Sequence, residues 1–366
     1  MTRVLQVSSA RAFGGGERHL ADLARGLDAR GHEVIVALRE GSPLRERLSF
    51  LPERNVYTLP LRNSLDIFGA RRLARLARQR KVEIVHAHVA RDYVPASIAA
   101  RLAPASRLVV TRHVLFPLGR AHRFALSNVA RVIAVSEPVE RALRARKIFD
   151  DDRIRVVENS VDPARFDRAE PRECGPLRVG IVGELSEVKG QSEFVRAARL
   201  VADELGGGVE FVIVGEENSP GGEYRARVER LVDELGLHEI VRLLGRVEDV
   251  PGVFVNLDLL VSASRSEAFG MAMAEALVCG VPVVATATEG ARSLIEENVN
   301  GLLVPVGDVG ALAAAVSSLL RDAGRRRVLG DNARRAARER FSPARMVEAT
   351  VRVYEEALGR SGMMGL

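Results

Sequence analysis

Apolar and polar positions along the chain follow two alternating periodicities. Short runs rich in β-branched residues are separated by longer segments in which apolar residues recur every three or four positions. After the first such run, Leu20, Leu23 and Leu27 predict a helix over Gly16–Arg30. Strands that alternate with helices usually pair in parallel, so the pattern predicts a doubly wound α/β sheet.

The alternation occurs twice along the chain. In the first half the predicted strands are Val4–Ser8, Glu33–Ala37, Ile84–Ala87, Leu108–Thr111, Arg131–Val135 and Ile154–Val157. In the second half they are Val179–Val182, Glu210–Val214, Val241–Leu244, Leu259–Ser262 and Val281–Ala285, with helices predicted at Ser192–Leu205, at Met271–Val278 and throughout the tail from Val309. Between the halves, Pro163–Pro176 is polar, contains prolines and lacks periodicity, which predicts a linker.

Two Rossmann-like domains, residues 1–168 and 169–342, are therefore expected to face each other across a cleft. The length of 366 residues suits two domains of ordinary size. Ligands of such sheets bind outside the carboxyl ends of the strands, where loops lead into helices. Those loops are where the chemistry is expected.

Composition favours a globular protein outside the membrane. Hydrophobic residues make up 47% of the chain and charged residues 28%, and no apolar run reaches the ~18 residues that a membrane-spanning helix needs. The first residues lead directly into a predicted strand, without the pattern of a secretory leader. Cys174 and Cys279 lack a metal-binding spacing and are expected to be reduced thiols, which favours a cytoplasmic location.

Charge is distributed unevenly between the halves. Residues 1–168 carry a formal charge of +13 and the remainder −7, which agrees with the net charge of +6. Much of the excess lies in Ala70–Lys81, whose apolar spacing predicts a helix with a basic face. That face is either a solvated surface or one that meets anionic lipid or an acidic acceptor. Nucleic acid is not expected as a partner, because only 4% of residues are aromatic and no stacking motif accompanies the charge.

The loop after the first strand contains three consecutive glycines, Gly14 to Gly16. Glycines let backbone amides approach a ligand, and the helix N-terminus behind them favours an anion. The loop lacks both G-x-G-x-x-G and a G-K-[ST] ending, which counts against a nicotinamide dehydrogenase and a P-loop ATPase. A flexible turn is the alternative interpretation.

Two loops of the second half carry charged side chains. Lys189 stands just ahead of a predicted helix, where it would neutralise a diphosphate leaving group as a metal ion does elsewhere, although an ordinary surface lysine is the alternative. Glu267 and Glu275 lie eight residues apart, at the end of a strand and within the next predicted helix. Phe269 and Gly270 mark the start of that helix, whose amides favour an anion. A carboxylate at Glu275, on an otherwise apolar helix, needs hydrogen bonds from the protein or from ligand hydroxyls.

Three histidines follow neighbouring strands of the first half. His86 and His88 end one predicted strand and His113 follows the next, which suggests a site more than isolated histidines would. The His-x-His pattern hints at a metal, but no Asp, Glu or Cys at ligand spacing completes it. We therefore expect neither a metal nor another cofactor.

Taken together, these segments resemble glycosyltransferase family 4, whose members are retaining enzymes of the GT-B fold. Gly15–Val34 resembles the family's G-G-x-E…R-G-H-x-V segment, and Ile84–His88 its D-I-V-H-x-H strand. Further matches are Val132–Ser136 to a strand that ends in serine, Val157–Pro163 to the i-x-N-G-v-D turn, Glu267–Glu275 to the E-x7-E signature, and Gly280–Thr286 to the segment after it. The resemblance runs nearly end to end.

The resemblance implies a role for each matching position. Glu275 would bind the nucleotide ribose, Glu267 the donor sugar and Lys189 the diphosphate, while His113 would lie near the reacting carbon. The implied catalytic residues are His113, Glu267 and Lys189, and the implied donor-binding residues are Gly15, Gly16, Gly183, Lys189, Arg246, Val247, Glu267, Ala268, Phe269, Gly270, Met271 and Glu275. The helix in residues 343–366 would cross back onto the first domain, and Gly15 and Gly16 would close over the diphosphate.

The implied activity is metal-independent, retaining transfer of a hexose from a UDP- or GDP-sugar to a glycan or lipid-linked acceptor, in cell-surface polysaccharide or glycolipid synthesis. Peripheral contact of the basic half with an anionic membrane would accompany it. The alternatives are a sugar-nucleotide epimerase or a phosphorylase-like enzyme of the same fold, and a non-catalytic module that binds nucleotide-sugars or membranes.

Two positions depart from the family pattern. Glu184 stands where the family commonly has a phosphate-binding arginine, and Ser160 replaces a turn glycine. Either Arg112 or Arg265 compensates for the missing arginine, or Glu184 serves a different donor or acceptor.

Overall fold

A computed structural model describes residues 1–167, 175–219 and 221–360. It divides into two compact α/β units. The first contains residues 1–160 and the C-terminal segment that begins at Pro343, and the second spans Val161–Ser342. Each unit has one fully parallel sheet with helices around it.

The first sheet has seven strands in the order β3-β2-β1-β4-β5-β6-β7. They are β1 (Arg3–Ser8), β2 (Glu33–Leu38), β3 (Val56–Thr58), β4 (Ile84–Ala87), β5 (Arg107–Arg112), β6 (Val129–Ala134) and β7 (Ile154–Val156). The second sheet has six strands in the order β10-β9-β8-β11-β12-β13. They are β8 (Leu177–Val182), β9 (Val209–Val214), β10 (Val241–Gly245), β11 (Leu259–Ser262), β12 (Val283–Thr286) and β13 (Gly301–Val304).

Fourteen α-helices surround the sheets within the described part of the chain. They are α1 (Gly15–Asp28), α2 (Leu44–Arg47), α3 (Ile67–Gln79), α4 (Tyr93–Leu102), α5 (His122–Ala125), α6 (Glu137–Arg146), α7 (Gln191–Leu205), α8 (Glu223–Glu234), α9 (Val250–Val255), α10 (Met271–Cys279), α11 (Glu289–Leu294), α12 (Val309–Arg321), α13 (Ala323–Arg340) and α14 (Pro343–Ala357). From Val309 to Ala357 the chain forms three successive helices, as predicted, and residues 361–366 of the predicted helical tail lie outside the described residues.

Every predicted strand is present, two strands were not predicted, and β6, β8 and β12 each begin two residues from the predicted start. The pattern did not indicate β3 or β13, which have only three and four residues. The strand predicted to begin at Val281 begins at Val283 instead. Pro282 lies between the two residues, and a proline has no N–H to donate to a neighbouring strand.

The division between the units falls between Ser160 and Val161, eight residues before the boundary expected from the sequence. Val161 donates its N–H to the carbonyl of Phe341 at 2.8 Å, and Asp167 lies 2.6 Å from the guanidinium of Arg338. These contacts attach residues 161–167 to the second unit. Part of the predicted linker, residues 168–174 with Cys174, lies outside the described residues.

The C-terminal helix α14 belongs to the first unit and packs against α1. Gly26 of α1 lies against Val347 of α14 so closely that a Cβ atom at position 26 would be 2.4 Å from a Val347 methyl carbon. Tyr354 of α14 is fully buried among residues of the first sheet. The last helix therefore completes the core of the unit in which the chain begins.

Both sheets have a point at which the strand order reverses. It lies between β1 and β4 in the first sheet and between β8 and β11 in the second. Because neighbouring loops lead away from each other at such a point, a crevice opens there at the carboxyl ends of the strands.

Membrane-spanning helices are absent from the described ranges, since no helix there is both long and apolar enough to cross a bilayer.

Candidate functional site

In the second unit, Lys189 and Glu267 meet at the reversal point of the sheet. Lys189 is in the loop after β8 and Glu267 in the loop after β11, and these strands are neighbours. The Lys189 Nζ lies 2.5 Å from the Glu267 Oε1, and the Ser264 hydroxyl donates to the same oxygen at 3.0 Å. An ammonium has three donors, so Lys189 retains two for another anion while it holds Glu267.

Glycine at position 190 allows the two loops to touch. Gly190 has φ +74°, and a Cβ atom there would lie 2.1 Å from the carbonyl oxygen of Ala263 at the end of β11. The N–H of Arg265 donates to the carbonyl of Val188 at 2.8 Å and joins the same loops. A residue with a side chain at 190 would push Lys189 away from Glu267. Gly183 lines this position, because the Lys189 stem passes 4.0 Å from where a Cβ of residue 183 would be.

The backbone of Glu267 also packs closely against Gly290, a contact that the sequence interpretation missed. A Cβ atom on Gly290, in α11, would lie 2.6 Å from the carbonyl oxygen and 2.9 Å from the Cβ of Glu267. The sequence does show a glycine in the first turn of a helix capped by Thr288, where a close contact with another segment is possible. Nothing in the local pattern, however, indicates that this contact is with Glu267, 23 residues earlier.

Helix α10 begins immediately after this loop. Gly270 is its N-cap, with φ +99°, and the helix starts at Met271, so the amides of its first turn are those of residues 271–273. Phe269 is buried and packs edge-on against Phe341 at 5.6 Å, which anchors the helix start. Ala268 is half-buried. The first-turn amides have no acceptors within the helix and form a local positive potential.

Glu275 lies farther along α10 and is almost completely buried. Its side chain is 5% exposed, and its Oε1 lies 3.8 Å from the guanidinium of Arg165. Burial, followed by the charge of Glu275, raises the pKa of the neighbouring Cys279 thiol to about 12. Glu275 is thus held within the second unit by a cation that the sequence interpretation did not identify.

Arg246 and Val247 are separate from the Lys189–Glu267 pair. They follow β10, the edge strand, which lies two positions from β8 in the sheet. Arg246 is exposed and Val247 half-buried. Their expected contact with the base stays a prediction.

The side chain at position 184 is exposed. Of the two arginines considered as substitutes for the missing cation, Arg265 pairs with Glu193 at 2.6 Å, and Arg112 of the first unit donates to the carbonyl of Phe116. Each guanidinium is therefore engaged by a neighbour in its own unit.

In the first unit, the glycine loop leads directly into α1. The N–H of Gly14 donates to the Glu17 carboxylate at 2.9 Å in a capping interaction. Burial raises the pKa of Glu17, although backbone hydrogen bonds oppose the effect. Gly15 is half-buried at the start of the helix, and Gly16 lies against the His113 ring, 3.5 Å from where a Cβ would be. The structure thus brings Gly16 and His113 together.

Four histidines cluster at the reversal point of the first sheet. The His86 and His88 rings are 4.1 Å apart, His19 is 5.9 Å from His88, and His113 is 5.1 Å from His19, measured between ring centroids. The sequence interpretation grouped His86, His88 and His113 but missed His19. His19 could have been found from its position in α1, because it lies beside Leu20 and four residues before Leu23, on the buried side of the helix.

Hydrogen bonds connect part of this cluster to the C-terminal helix. The Nε2 of His88 lies 2.6 Å from the Gln6 Oε1, and the Gln6 amide donates to the Tyr354 hydroxyl at 3.1 Å. That hydroxyl lies 2.7 Å from the Nδ1 of His86, whose Nε2 lies 2.7 Å from the Thr111 hydroxyl. Helix α14 therefore fixes the orientations of two histidines.

Burial makes all four histidines weak bases. Desolvation lowers the pKa of His19 to about 4, against a smaller opposing effect of Asn159, which lies nearby without forming a hydrogen bond to either ring nitrogen. Desolvation, with smaller effects of neighbouring rings, lowers the pKa of His86, His88 and His113 well below its usual range. Each imidazole is consequently neutral at pH 7.

Family models match both units. Residues 13–165 match the model described as Glycosyltransferase Family 4, and residues 164–336 match that of glycosyl transferases group 1. The two matches together cover nearly the whole described chain.

Relatives of known name are also glycosyltransferases. The chain is 31% identical over 306 residues to a D-inositol 3-phosphate glycosyltransferase of Salinispora tropica, a match that covers 77% of this chain and 61% of that protein. It thus spans about three fifths of the length of that relative. It is 25% identical to the N-acetyl-alpha-D-glucosaminyl L-malate synthase of Bacillus anthracis over 92% of both chains.

Among solved structures, Anabaena HepE in complex with UDP and glucose is similar to this chain, with a TM-score of 0.84 and 23% identity over 96% of this chain and 99% of HepE. This likeness shows that the two α/β units form a GT-B fold. The motifs, the sheet orders and both family models agree, and the chain belongs to glycosyltransferase family 4.

Proposed function

We propose that this protein is a retaining hexosyltransferase that uses a UDP- or GDP-sugar. The observation that supports it best is the meeting of Lys189, Glu267 and the N-terminus of α10 at the reversal point of the second sheet. This arrangement offers a cation for a diphosphate, a carboxylate for sugar hydroxyls and free amides for an anion. HepE, which shares the fold, was solved with UDP and glucose, so a uridine nucleotide is the first donor to test.

In the proposed reaction, the bond between the anomeric carbon and the diphosphate oxygen breaks. The acceptor hydroxyl oxygen forms a bond to that carbon on the same face, and its proton passes to the departing diphosphate. Negative charge develops on the diphosphate as the bond breaks. Lys189 and the α10 amides stabilise that charge, which is the role a bound metal ion plays in other enzymes. We therefore assign no metal to the diphosphate.

Glu267 positions the donor sugar in this scheme. Its Oε1 already accepts from Lys189 and Ser264, which leaves Oε2 for sugar hydroxyls. Glu275 is proposed to hold the ribose, and Arg246 and Val247 the base. His113 is proposed to assist the reaction as a neutral imidazole, which accepts or donates a hydrogen bond without carrying charge.

The acceptor is proposed to be a glycan or a lipid-linked sugar. Directly after His113, a small groove of about 180 Å³ is lined mainly by apolar side chains, including Val114, Phe116 and Leu143, with Arg112 and Arg146 among them. Apolar walls with two guanidiniums suit an acceptor that combines a hydrocarbon with an anionic group. The name of the Salinispora relative includes D-inositol 3-phosphate, so small phosphorylated acceptors belong in the same test.

Peripheral membrane contact is proposed for the surface around α3. Leu65, Ile67 and Phe68 are 79%, 53% and 76% exposed at the start of this helix. Arg71 and Arg75 follow on its exposed side, while the leucines of the helix are buried. Exposed apolar side chains beside arginines are the combination that binds at an anionic bilayer surface.

A donor screen followed by a transfer assay tests the proposed function. The thermal unfolding midpoint is measured with UDP, GDP and their hexose conjugates, and the stabilising donor is then incubated with glycan, lipid-linked and inositol phosphate acceptors. We expect one nucleotide series to stabilise the chain and product to appear only with an acceptor. Conversion of the donor sugar without acceptor would instead identify an epimerase, and donor binding without turnover on any acceptor would favour a non-catalytic module.

A further inference from the structure

Three histidine side chains of the first unit converge from three different elements. His19 comes from α1, His88 follows β4 and His113 follows β5. The candidate ligand nitrogens of the three rings all lie within 4.8 Å of one another. The three residues are far apart in the sequence and come together only through the tertiary fold.

The nitrogens of this triad, His19, His88 and His113, are unusual because most of them are unsatisfied. Within the described ranges, both ring nitrogens of His19, both of His113 and the Nδ1 of His88 are buried and have no hydrogen-bond partner. Buried polar atoms in native proteins almost always have partners, and each one without a partner is unfavourable. Five such atoms in one place indicate that the protein is built to accept a ligand there.

Gln6 sets His88 in the form that can bind a cation. The Gln6 Oε1 can only accept, so the His88 Nε2, 2.6 Å away, carries the proton. The lone pair of His88 is then on Nδ1, the nitrogen without a partner. Histidines that bind metals are usually oriented in this way, by an oxygen that accepts from the other ring nitrogen.

The fourth histidine provides an internal contrast. Both nitrogens of His86 have hydroxyl partners, Tyr354 on one side and Thr111 on the other, each at 2.7 Å. His86 is therefore fully satisfied by the protein, whereas the triad beside it is not. The cluster thus contains one structural histidine and three with free coordinating capacity.

We propose that His19, His88 and His113 form a binding site for one divalent transition-metal ion of the Zn²⁺ class. Three imidazoles are a common ligand set for Zn²⁺, with Zn–N distances of about 2.0–2.1 Å and a fourth position left for water or another ligand. In a tetrahedral arrangement these distances separate the nitrogens by about 3.3 Å. Side-chain movements that shorten the nitrogen–nitrogen distances by up to about 1.5 Å bring the triad to that spacing.

The affinity of the site is expected to be moderate. All three ligands are neutral, and the charge of Arg112, which contributes to the lowered pKa of His113, also opposes a bound cation.

An occupied site has a consequence that rests on the proposed function of His113. A metal ion bound to His113 would withdraw its nitrogen from the transfer reaction, so Zn²⁺ would inhibit the enzyme. The site itself does not depend on this role, because its binding is measured without a sugar donor.

Co²⁺ and Zn²⁺ binding to the full chain tests the proposed site. After treatment with a chelator and its removal, the chain is titrated with Co²⁺, and we expect the intense visible absorption of four-coordinate Co²⁺ with one equivalent bound per chain. One equivalent of Zn²⁺ is expected to abolish that absorption. Absence of the absorption together with absence of Zn²⁺ binding in calorimetry would overturn the proposed site.

Matched variants locate the ion. His19→Leu is expected to fold, since the replaced nitrogens have no hydrogen-bond partners in the protein. It is expected to lower the affinity for Co²⁺ and Zn²⁺ by more than ~100-fold, a larger loss than is typical when a residue that only orients a metal ligand is replaced. His113→Leu gives the same readout if His19→Leu does not fold. The double variant His122→Gln/His238→Gln changes histidines outside the cluster and should bind as the wild type does. Unchanged binding in a folded His19→Leu or His113→Leu variant would refute the assignment, and Zn²⁺ binding without inhibition would refute only the role of His113 in transfer.

Discussion

The Nζ of Lys189 lies 2.5 Å from the Oε1 of Glu267, although the residues are 78 positions apart in the chain. They meet because β8 and β11 are neighbours at the reversal point of the second sheet. Side-chain exposures of 31% and 11% keep the pair in partial contact with solvent. Without a ligand, the Lys189 ammonium and the Glu267 carboxylate thus neutralise each other. A diphosphate that binds to Lys189 would therefore find the lysine already held in position by Glu267.

Neutralising Glu267 is expected to impair transfer while preserving the fold. In Glu267→Gln the side chain keeps its shape and its contact with Ser264, but it loses the charge that holds Lys189. We expect kcat/KM to fall roughly 100- to 1,000-fold, as is typical when one well-placed polar group is lost from an active site. Steady-state kinetics with the donor found in the screen provides the measurement.

Glu204→Gln is the matched control for this change. Glu204, near the end of α7 in the same unit, pairs with Arg321 at 2.6 Å, and the two side chains are 41% and 54% exposed. Its replacement should leave kcat/KM within about twofold, since an exposed ion pair contributes little to stability. Equal losses in both variants would show that general destabilisation, rather than the loss of Glu267, causes the effect.

The sequence predicted the sheet architecture well because each unit repeats a strong local pattern. Buried parallel strands are continuous apolar runs, and most bounds agree within two residues. It predicted the site only in part, because loops at the ends of neighbouring strands are certain to approach, as Lys189 and Glu267 do. Contacts that depend on packing between distant elements leave no local signal, and Gly290 under Glu267, Arg165 beside Glu275 and His19 beside His113 were missed for that reason.

The close contact between Gly26 and Val347 predicts an unusual response to alanine. In most helices Gly→Ala is stabilising by about 0.5–1 kcal/mol. Here a Cβ would lie 2.4 Å from a methyl group of Val347, whose β-branched side chain has few rotamers available in a helix. We expect Gly26→Ala to destabilise the chain by about 1–3 kcal/mol, measured by chemical denaturation.

A second substitution separates the clash from other causes. Adding Val347→Ala to Gly26→Ala removes the methyl groups, so the double variant should be more stable than the two single effects added together, by at least ~0.5 kcal/mol. Gly310→Ala in α12, where the nearest atom lies 3.5 Å from the new Cβ, serves as the control and should be neutral or stabilising. Additive effects would refute the steric explanation.

Asp92 gives the first unit a predictable dependence on pH. Its carboxylate is buried and accepts the N–H of Ser9 at 2.7 Å, and burial raises the pKa of this carboxyl to about 6 despite that hydrogen bond. Between the unfolded pKa near 4 and the folded value of about 6, the folded state binds more protons than the unfolded state. The contribution of Asp92 to the free energy of unfolding therefore falls as pH rises through that interval and stays low above it.

Replacing Asp92 with Asn removes this ionisation while an amide oxygen can still accept from Ser9. The variant and the wild type are expected to have similar stability at pH 4, and the variant should become more stable by about 1–3 kcal/mol at pH 7.5. The difference between their free energies of unfolding, measured by chemical denaturation across this range, isolates Asp92 from the buried histidines. A difference that does not change with pH would show that Asp92 titrates normally.

Membrane contact through the α3 surface is expected to need both its apolar and its basic side chains. Co-sedimentation of the chain with vesicles of anionic lipid should fall as salt rises, because screening weakens the attraction of Arg71 and Arg75 to the bilayer. The double variant Leu65→Ser/Phe68→Ser should bind severalfold more weakly at every salt concentration, since its exposed side chains no longer enter the interface. Leu200→Ser, which changes a leucine 45% exposed on α7 of the other unit, is the control for general loss of apolar surface. Equal binding to neutral and anionic vesicles, or an equal loss in the Leu200 variant, would show that this surface does not dock on anionic membranes.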